Sequence, residues 1–143
     1  MTAKILDGSA VSKQILAEIK DQTSVFQAEW KSTPTLALMR VGDDPASVSY
    51  AKMIERTCNK VGMVFQSHTL PSDATEDQAV RLMRKLNDDD NVHGIILQQP
   101  LPESIHAEAV VEAMDPAKDC LLYTSPSPRD IHHNLGCPLL LEK

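Results

Sequence analysis

The stretch Val92-His-Gly-Ile-Ile-Leu-Gln98 is apolar on consecutive residues, without the alternation that would leave one face polar. A strand of that kind has to be covered on both faces, which is the situation of a strand inside a parallel sheet. Parallel neighbours are joined by helical crossovers, and these supply the cover. The flanking sequence carries such helices. Thr75-Glu-Asp-Gln78 matches a capping box, and Val80, Met83 and Leu86 form the inner stripe of the helix it opens. Ser104 is expected to cap another helix bearing Ile105, Ala109, Val111 and Met114.

The same alternation holds upstream. After Gly8-Ser9, the residues Val11, Ile15, Leu16, Ile19, Phe26 and Trp30 fall on one face of a long helix. Thr35–Val41 is a short apolar run after Pro34 and reads as a buried strand, and Met63–Leu70 reads as a second. Between them, Asp44 is an N-cap, Pro45 an N1 residue and Gly62 a C′ glycine, which delimits a helix at both ends. Asp88-Asp89-Asp90, beside Asn87 and Asn91, reads as a solvated turn. The fold class is therefore α/β, a three-layer parallel-sheet domain, with no internal repeat.

A chain of 143 residues supports one domain with a useful core. A net charge of −6 without a local basic patch argues against a nucleic-acid partner. No stretch is long enough to span a membrane, and Met1–Asp7 does not suit a signal peptide. Cys58, Cys120 and Cys137 are an odd number with no paired metal spacing, so reduced thiols in a cytoplasmic protein and no metal are expected. Cys58 falls on the buried stripe of its helix.

From Cys120 onward neither period persists, and Ser125-Pro-Ser-Pro128 opposes regular structure. Phosphorylation at the Ser-Pro pairs, or metal binding by His132-His133, are weak readings of this segment. Back-translated as TGT CTC TTA TAC ACA TCT, Cys120–Ser125 instead matches the transposon-end adapter of sequencing libraries, and Pro126–Asp130 continues it. The expectation is that 120–143 is translated adapter, disordered and without function, and that the native domain occupies 1–119.

Two stretches of the body carry chemistry: Val41-Gly-Asp-Asp-Pro-Ala-Ser-Val-Ser-Tyr50, and His93–Pro102 followed by Asp115-Pro-Ala-Lys-Asp119. Ligands of open parallel sheets bind beyond the carboxyl ends of the strands. Val41-Gly42 and Gln98 both end strands, and Tyr50 lies in the second turn of the intervening helix, so all three belong at one edge. On the residues alone, Tyr50 could be packing and Gln98 a polar end to a buried strand. His93 and His106 fit core-edge and helix-surface roles.

Together these stretches resemble the folate-binding domain of the FolD family, the bifunctional methylenetetrahydrofolate dehydrogenase/methenyltetrahydrofolate cyclohydrolases. The resemblance runs in order from Ala3 to Asp119. It implies an enzyme of one-carbon metabolism and purine biosynthesis that oxidises 5,10-methylenetetrahydrofolate with NADP or NAD and hydrolyses the methenyl product to 10-formyltetrahydrofolate. It implies Tyr50 and Gln98 as catalytic and substrate-binding residues, Pro100 and Asp119 as further substrate-binding residues, and a homodimeric parent enzyme.

Three departures accompany the resemblance. The family's catalytic lysine, one turn after the tyrosine, is Ile54 here, and Lys52 and Arg56 point away from Tyr50. Ile54 puts the hydrolytic step in question, because isoleucine neither activates water nor carries protons. The second aspartate of the family's Lys-Asp-Val-Asp-Gly run falls on Leu121. No glycine-rich strand–turn–helix follows Asp119, so a nucleotide-binding Rossmann domain, and any cofactor-binding residue, is expected to be missing and the chain inactive alone. A non-catalytic folate-binding module or a ligand-free interaction domain are the alternatives.

Overall fold

The computed structural model describes residues 7–121. The opening Ala3–Leu6, the Ser-Pro pairs, His132-His133 and Cys137 lie outside the described residues. Among those described, three strands form one parallel sheet: β1 (Thr35–Val41), β2 (Val64–Leu70) and β3 (Gly94–Leu97), in the order β2-β1-β3. Four helices accompany it: α1 (Gly8–Trp30), α2 (Pro45–Val61), α3 (Glu76–Asn87) and α4 (Ala107–Glu112).

The central strand shows why the apolar runs need two covers. Ala37, Met39 and Val41 point to one face, where they join Ile95, Leu97 and the α3/α4 residues Ala79, Met83 and Val110. Leu38 points to the other face and packs with Ile96 and Ala51 of α2. Leu38, Met39 and Ile95 are fully buried, and each such side chain contributes roughly 1.5–3 kcal/mol of transfer free energy. The layers are thus α1 and α2, the sheet, then α3 and α4.

Local signals set the helix ends. Asp44 accepts from the Ser47 amide at 2.8 Å, and Gly62 closes α2 in the left-handed region at φ 80°. Thr75 and Gln78 form the reciprocal capping box at the start of α3.

Three expectations change. The helix after Ser104 starts later, with His106 at its N-cap and no side-chain capping bond. Ile105 is instead held in a turn, its amide donating to the Pro102 carbonyl at 2.9 Å. β3 is shorter than its apolar run, because its residues pair with β1 only from Gly94 to Leu97. The stripe of α1 is only partly covered. Thr23 is its one buried residue, while Val11, Ile15 and Trp30 remain 56%, 48% and 69% exposed. The helix is anchored through its C-terminal half, where Gln27 donates to the Gly62 carbonyl at 3.2 Å and Phe26 meets His93 edge-on at 5.6 Å. Its N-terminal turns, with Val11 and Ile15, lie away from that support, and Trp30 at the other end is exposed as well, so helical periodicity in α1 does not mean burial.

The described residues continue past Asp119 to Leu121. Cys120 packs against the Leu38–Ala51–Ile96 cluster, and its amide donates to the Ile95 carbonyl at 3.4 Å. Gly94 admits this close approach, since a Cβ there would lie 2.5 Å from the Cys120 sulfur. The rest of the segment expected to be adapter, 122–143, lies outside the described residues.

Candidate active site

The cleft lies at the carboxyl ends of β1 and β3. Gly42, at φ 79°, lets the chain turn sharply out of β1, and its amide donates to the Leu70 carbonyl at 2.9 Å. Asp44 then caps α2, with Pro45 pre-set at the first helical position. Hydrogen bonds from Ser47 hold the Asp44 carboxyl below the usual carboxylate range, so it stays ionised at the positive end of the helix.

From the other side, the Gln98 amide extends the sheet ladder to the Met39 carbonyl at 2.9 Å. The Gln98 side chain is 8% exposed and donates through Nε2 to the Ser47 carbonyl at 3.0 Å. Only the NH2 end can face a carbonyl oxygen, so this bond fixes the orientation of the amide. Oε1 is buried without a hydrogen-bond partner among the described residues. An unpaired buried acceptor costs about 1–3 kcal/mol.

Between these elements lies a cleft of about 470 Å³, lined among others by Asp44, Ser47, Tyr50, Gln98, Pro100 and Leu121. Tyr50 is 44% exposed, leaving part of its ring open to stacking. The Gln99–Pro100 peptide is cis. An aromatic side, an amide of defined polarity and an ionised carboxylate suit a flat heterocycle with N–H groups.

The structure therefore brings Tyr50, Gln98 and Pro100 together. Asp119 does not line the cleft; its backbone bridges Ile95, and its carboxylate accepts from the Leu121 amide at 2.9 Å. Leu121 is the residue of that segment that reaches the cleft. Ile54 does not line it either and packs against the Leu38–Ala51–Ile96 cluster. Lys52 faces a different groove, shared with Arg40, Glu55 and Ser67. Ser47 escaped the sequence reading because it acts through a backbone carbonyl, which no side-chain pattern reveals.

The remaining candidates have structural partners. His93 accepts at Nδ1 from the Thr35 amide at 3.2 Å. His106 pairs with Glu76 at 2.7 Å, and hydrogen bonds from the His106 backbone and ring hold that carboxyl below its ordinary range. Burial pushes the Cys58 thiol up. Among the described residues no group of three His, Cys, Asp or Glu side chains could hold a metal ion. No described helix is long and apolar enough to cross a membrane. Nor do the described residues include a glycine-rich strand–turn–helix at the cleft.

Residues 6–120 match the family model of the tetrahydrofolate dehydrogenase/cyclohydrolase catalytic domain. The chain is 43% identical over 117 residues to the bifunctional protein FolD of Geotalea daltonii, covering 82% of this chain and 41% of that protein. It is 44% identical over 119 residues to the FolD protein of Heliobacterium modesticaldum, covering 83% and 41%. The chain thus spans about two fifths of the length of the curated relatives it matches. Among solved structures, the bifunctional FolD enzyme of Campylobacter jejuni superposes with a TM-score of 0.78 at 34% identity, over 81% of this chain and 41% of that one. A methylenetetrahydrofolate dehydrogenase–cyclohydrolase of Trypanosoma brucei, complexed with NADP and an inhibitor, superposes with a TM-score of 0.76 at 28% identity, over 83% and 41%.

Proposed function

Because the chain belongs to the tetrahydrofolate dehydrogenase/cyclohydrolase family, we propose that its cleft is the folate-binding half of a methylenetetrahydrofolate dehydrogenase active site. The observation that carries this reading is that Tyr50 and Gln98, far apart in sequence, line one cleft beyond the strand ends. Tyr50 stacks on the folate, and Gln98, held by Ser47, hydrogen-bonds near its reacting end through Oε1. Pro100 shapes the wall, and Asp119 acts through the segment that carries Leu121 to the rim.

The nicotinamide, NADP or NAD, supplies a hydride acceptor in the longer enzymes of the family. The chain's own contribution is to hold the folate. The reading extends to a cytoplasmic, homodimeric longer enzyme that serves purine biosynthesis; family membership alone supports that extension.

Hydrolysis of the methenyl group is a separate matter. Ile54 is partly buried against the α2-side cluster, and among the described residues no cationic side chain lines the cleft. The reading is therefore of a dehydrogenase half-site with little or no cyclohydrolase chemistry. Titration of the purified chain with tetrahydrofolate tests the site. Saturable binding that Tyr50→Ala weakens supports it, and absence of binding removes it in favour of a ligand-free scaffold.

A further inference from the structure

We propose that Lys118 is a positioning residue for this cleft: its ammonium clamps onto the end of α3 the segment that brings Leu121 to the cleft. The inference rests on the folate reading for its functional consequence and on hydrogen bonds alone for its geometry.

An ammonium group carries three donors. That of Lys118 meets three backbone carbonyls, those of Leu86 at 3.3 Å, Asn87 at 2.6 Å and Asp89 at 2.8 Å. These belong to the last turn of α3 and the turn beyond it, where helix carbonyls lack partners in their own helix and the dipole is negative. All three donors are thus engaged, and the half-buried stem holds them there. The side chain of Asn87 adds a second strap. Its Nδ2 donates to the Ala113 carbonyl at 2.7 Å, and its Oδ1 accepts from the Asp115 amide at 3.0 Å.

What the straps hold leads into the cleft. The Lys118 carbonyl accepts from the Ile95 amide at 2.7 Å, Asp119 bridges Ile95 in parallel, and the Cys120 amide returns to the Ile95 carbonyl. Residues 118–120 therefore extend the sheet beyond β3, and Leu121 emerges at the cleft. Ile95 lies in the same short strand that presents Gln98. The strapped segment therefore runs beside the strand that presents Gln98.

Lys118 cannot replace the lysine absent from position 54. Its partners Asn87 and Asp89 precede β3, at the opposite end of the sheet from Gln98. The four-residue strand between them is about 13 Å long at 3.3 Å per residue.

Amide hydrogen exchange and tetrahydrofolate titration on the whole chain decide the matter. Lys118→Met keeps the apolar stem and removes the donors. Exchange at the Ile95 and Cys120 amides is expected to accelerate about tenfold or more, as for loss of a charged hydrogen bond, with amides of β1 changing less than about twofold. The tetrahydrofolate Kd is expected to rise about tenfold with it. Lys118→Arg, with its several donors, should recover most of both effects. If Lys118→Met does not fold, Lys118→Gln takes its place in the same comparison. Unchanged exchange at Ile95 and Cys120, or exchange that accelerates equally throughout β1, overturns the proposal. If the unaltered chain binds no tetrahydrofolate, the folate reading fails, and the exchange result still judges the clamp.

Discussion

Gln98 donates its side-chain amide to the carbonyl of Ser47 across 3.0 Å, and this bond ties the end of β3 to the first turn of α2. The two residues are 51 positions apart, and both line the cleft. The bond decides which way round the amide sits, with Nε2 on the Ser47 carbonyl and Oε1 buried beside the cleft.

Replacing Gln98 by glutamate sets an acceptor-only carboxylate against that carbonyl. Gln98→Glu should lose roughly 1–3 kcal/mol of stability, because a buried acceptor is left facing another. Urea unfolding gives the stability change, and tetrahydrofolate affinity should fall at least about tenfold in the same variant. Unaltered affinity would remove Gln98 from the site.

Tyr50 separates stacking from hydrogen bonding. An aromatic contact is worth about 0.5–1.5 kcal/mol beyond its area burial, so Tyr50→Ala should weaken tetrahydrofolate binding about tenfold. Tyr50→Phe keeps the ring and should lose far less. Calorimetric titration of the two variants distinguishes these outcomes, and equal losses would assign the hydroxyl the main role.

Ile54→Lys tests the link between position 54 and hydrolysis. The side chain packs beside Leu38, Ala51 and Ile96, so an ammonium there should destabilise the fold unless it reaches water or the cleft. A longer enzyme of this lineage carrying the substitution is expected to gain methenyltetrahydrofolate hydrolysis. Hydrolysis at the same rate with isoleucine and with lysine would show that the step does not need a cation at this position.

Acid should act on the start of α2. The Asp44 carboxyl, ordinarily near 3.8, is held lower in the folded chain by its bonds from Ser47. A group with a depressed folded pKa stabilises the fold fully above its unfolded value, and that contribution disappears as pH falls through the folded value. The unaltered chain should therefore exceed Asp44→Asn in urea midpoint near neutrality, and the gap should close well below pH 3.8. A gap that is constant with pH would show that the carboxylate's charge is not what holds the cap.

The core predicts a larger and less specific loss. Leu38 is fully buried in the central strand, between Ile96 and Ala51. Leu38→Ala should destabilise by about 2–5 kcal/mol, read from urea unfolding, and a loss below about 1 kcal/mol would mean that the α2-side layer collapses into the void.

Local chemistry was legible in the residues themselves. Asp44-Pro45, Gly62 and Thr75–Gln78 specify helix ends because each acts on backbone groups a few positions away. The apolar run at 92–98 specified a strand covered on both faces for the same reason: burial leaves a pattern in the residues that are buried. The order of the chain also located Tyr50 and Gln98 at one edge of the sheet.

What only the tertiary structure decided are the relations between distant backbone groups. The Ser47 carbonyl that orients Gln98, the three carbonyls that take up Lys118, and the Ile95 rungs that place Leu121 at the cleft have no side-chain signature. Every residue offers the same carbonyl and, proline aside, the same amide, so sequence cannot say which ones meet. The exposed half of the α1 stripe has a related cause. Periodicity determines which face of a helix is apolar, whereas the elements packed beside it determine how much of that face leaves water.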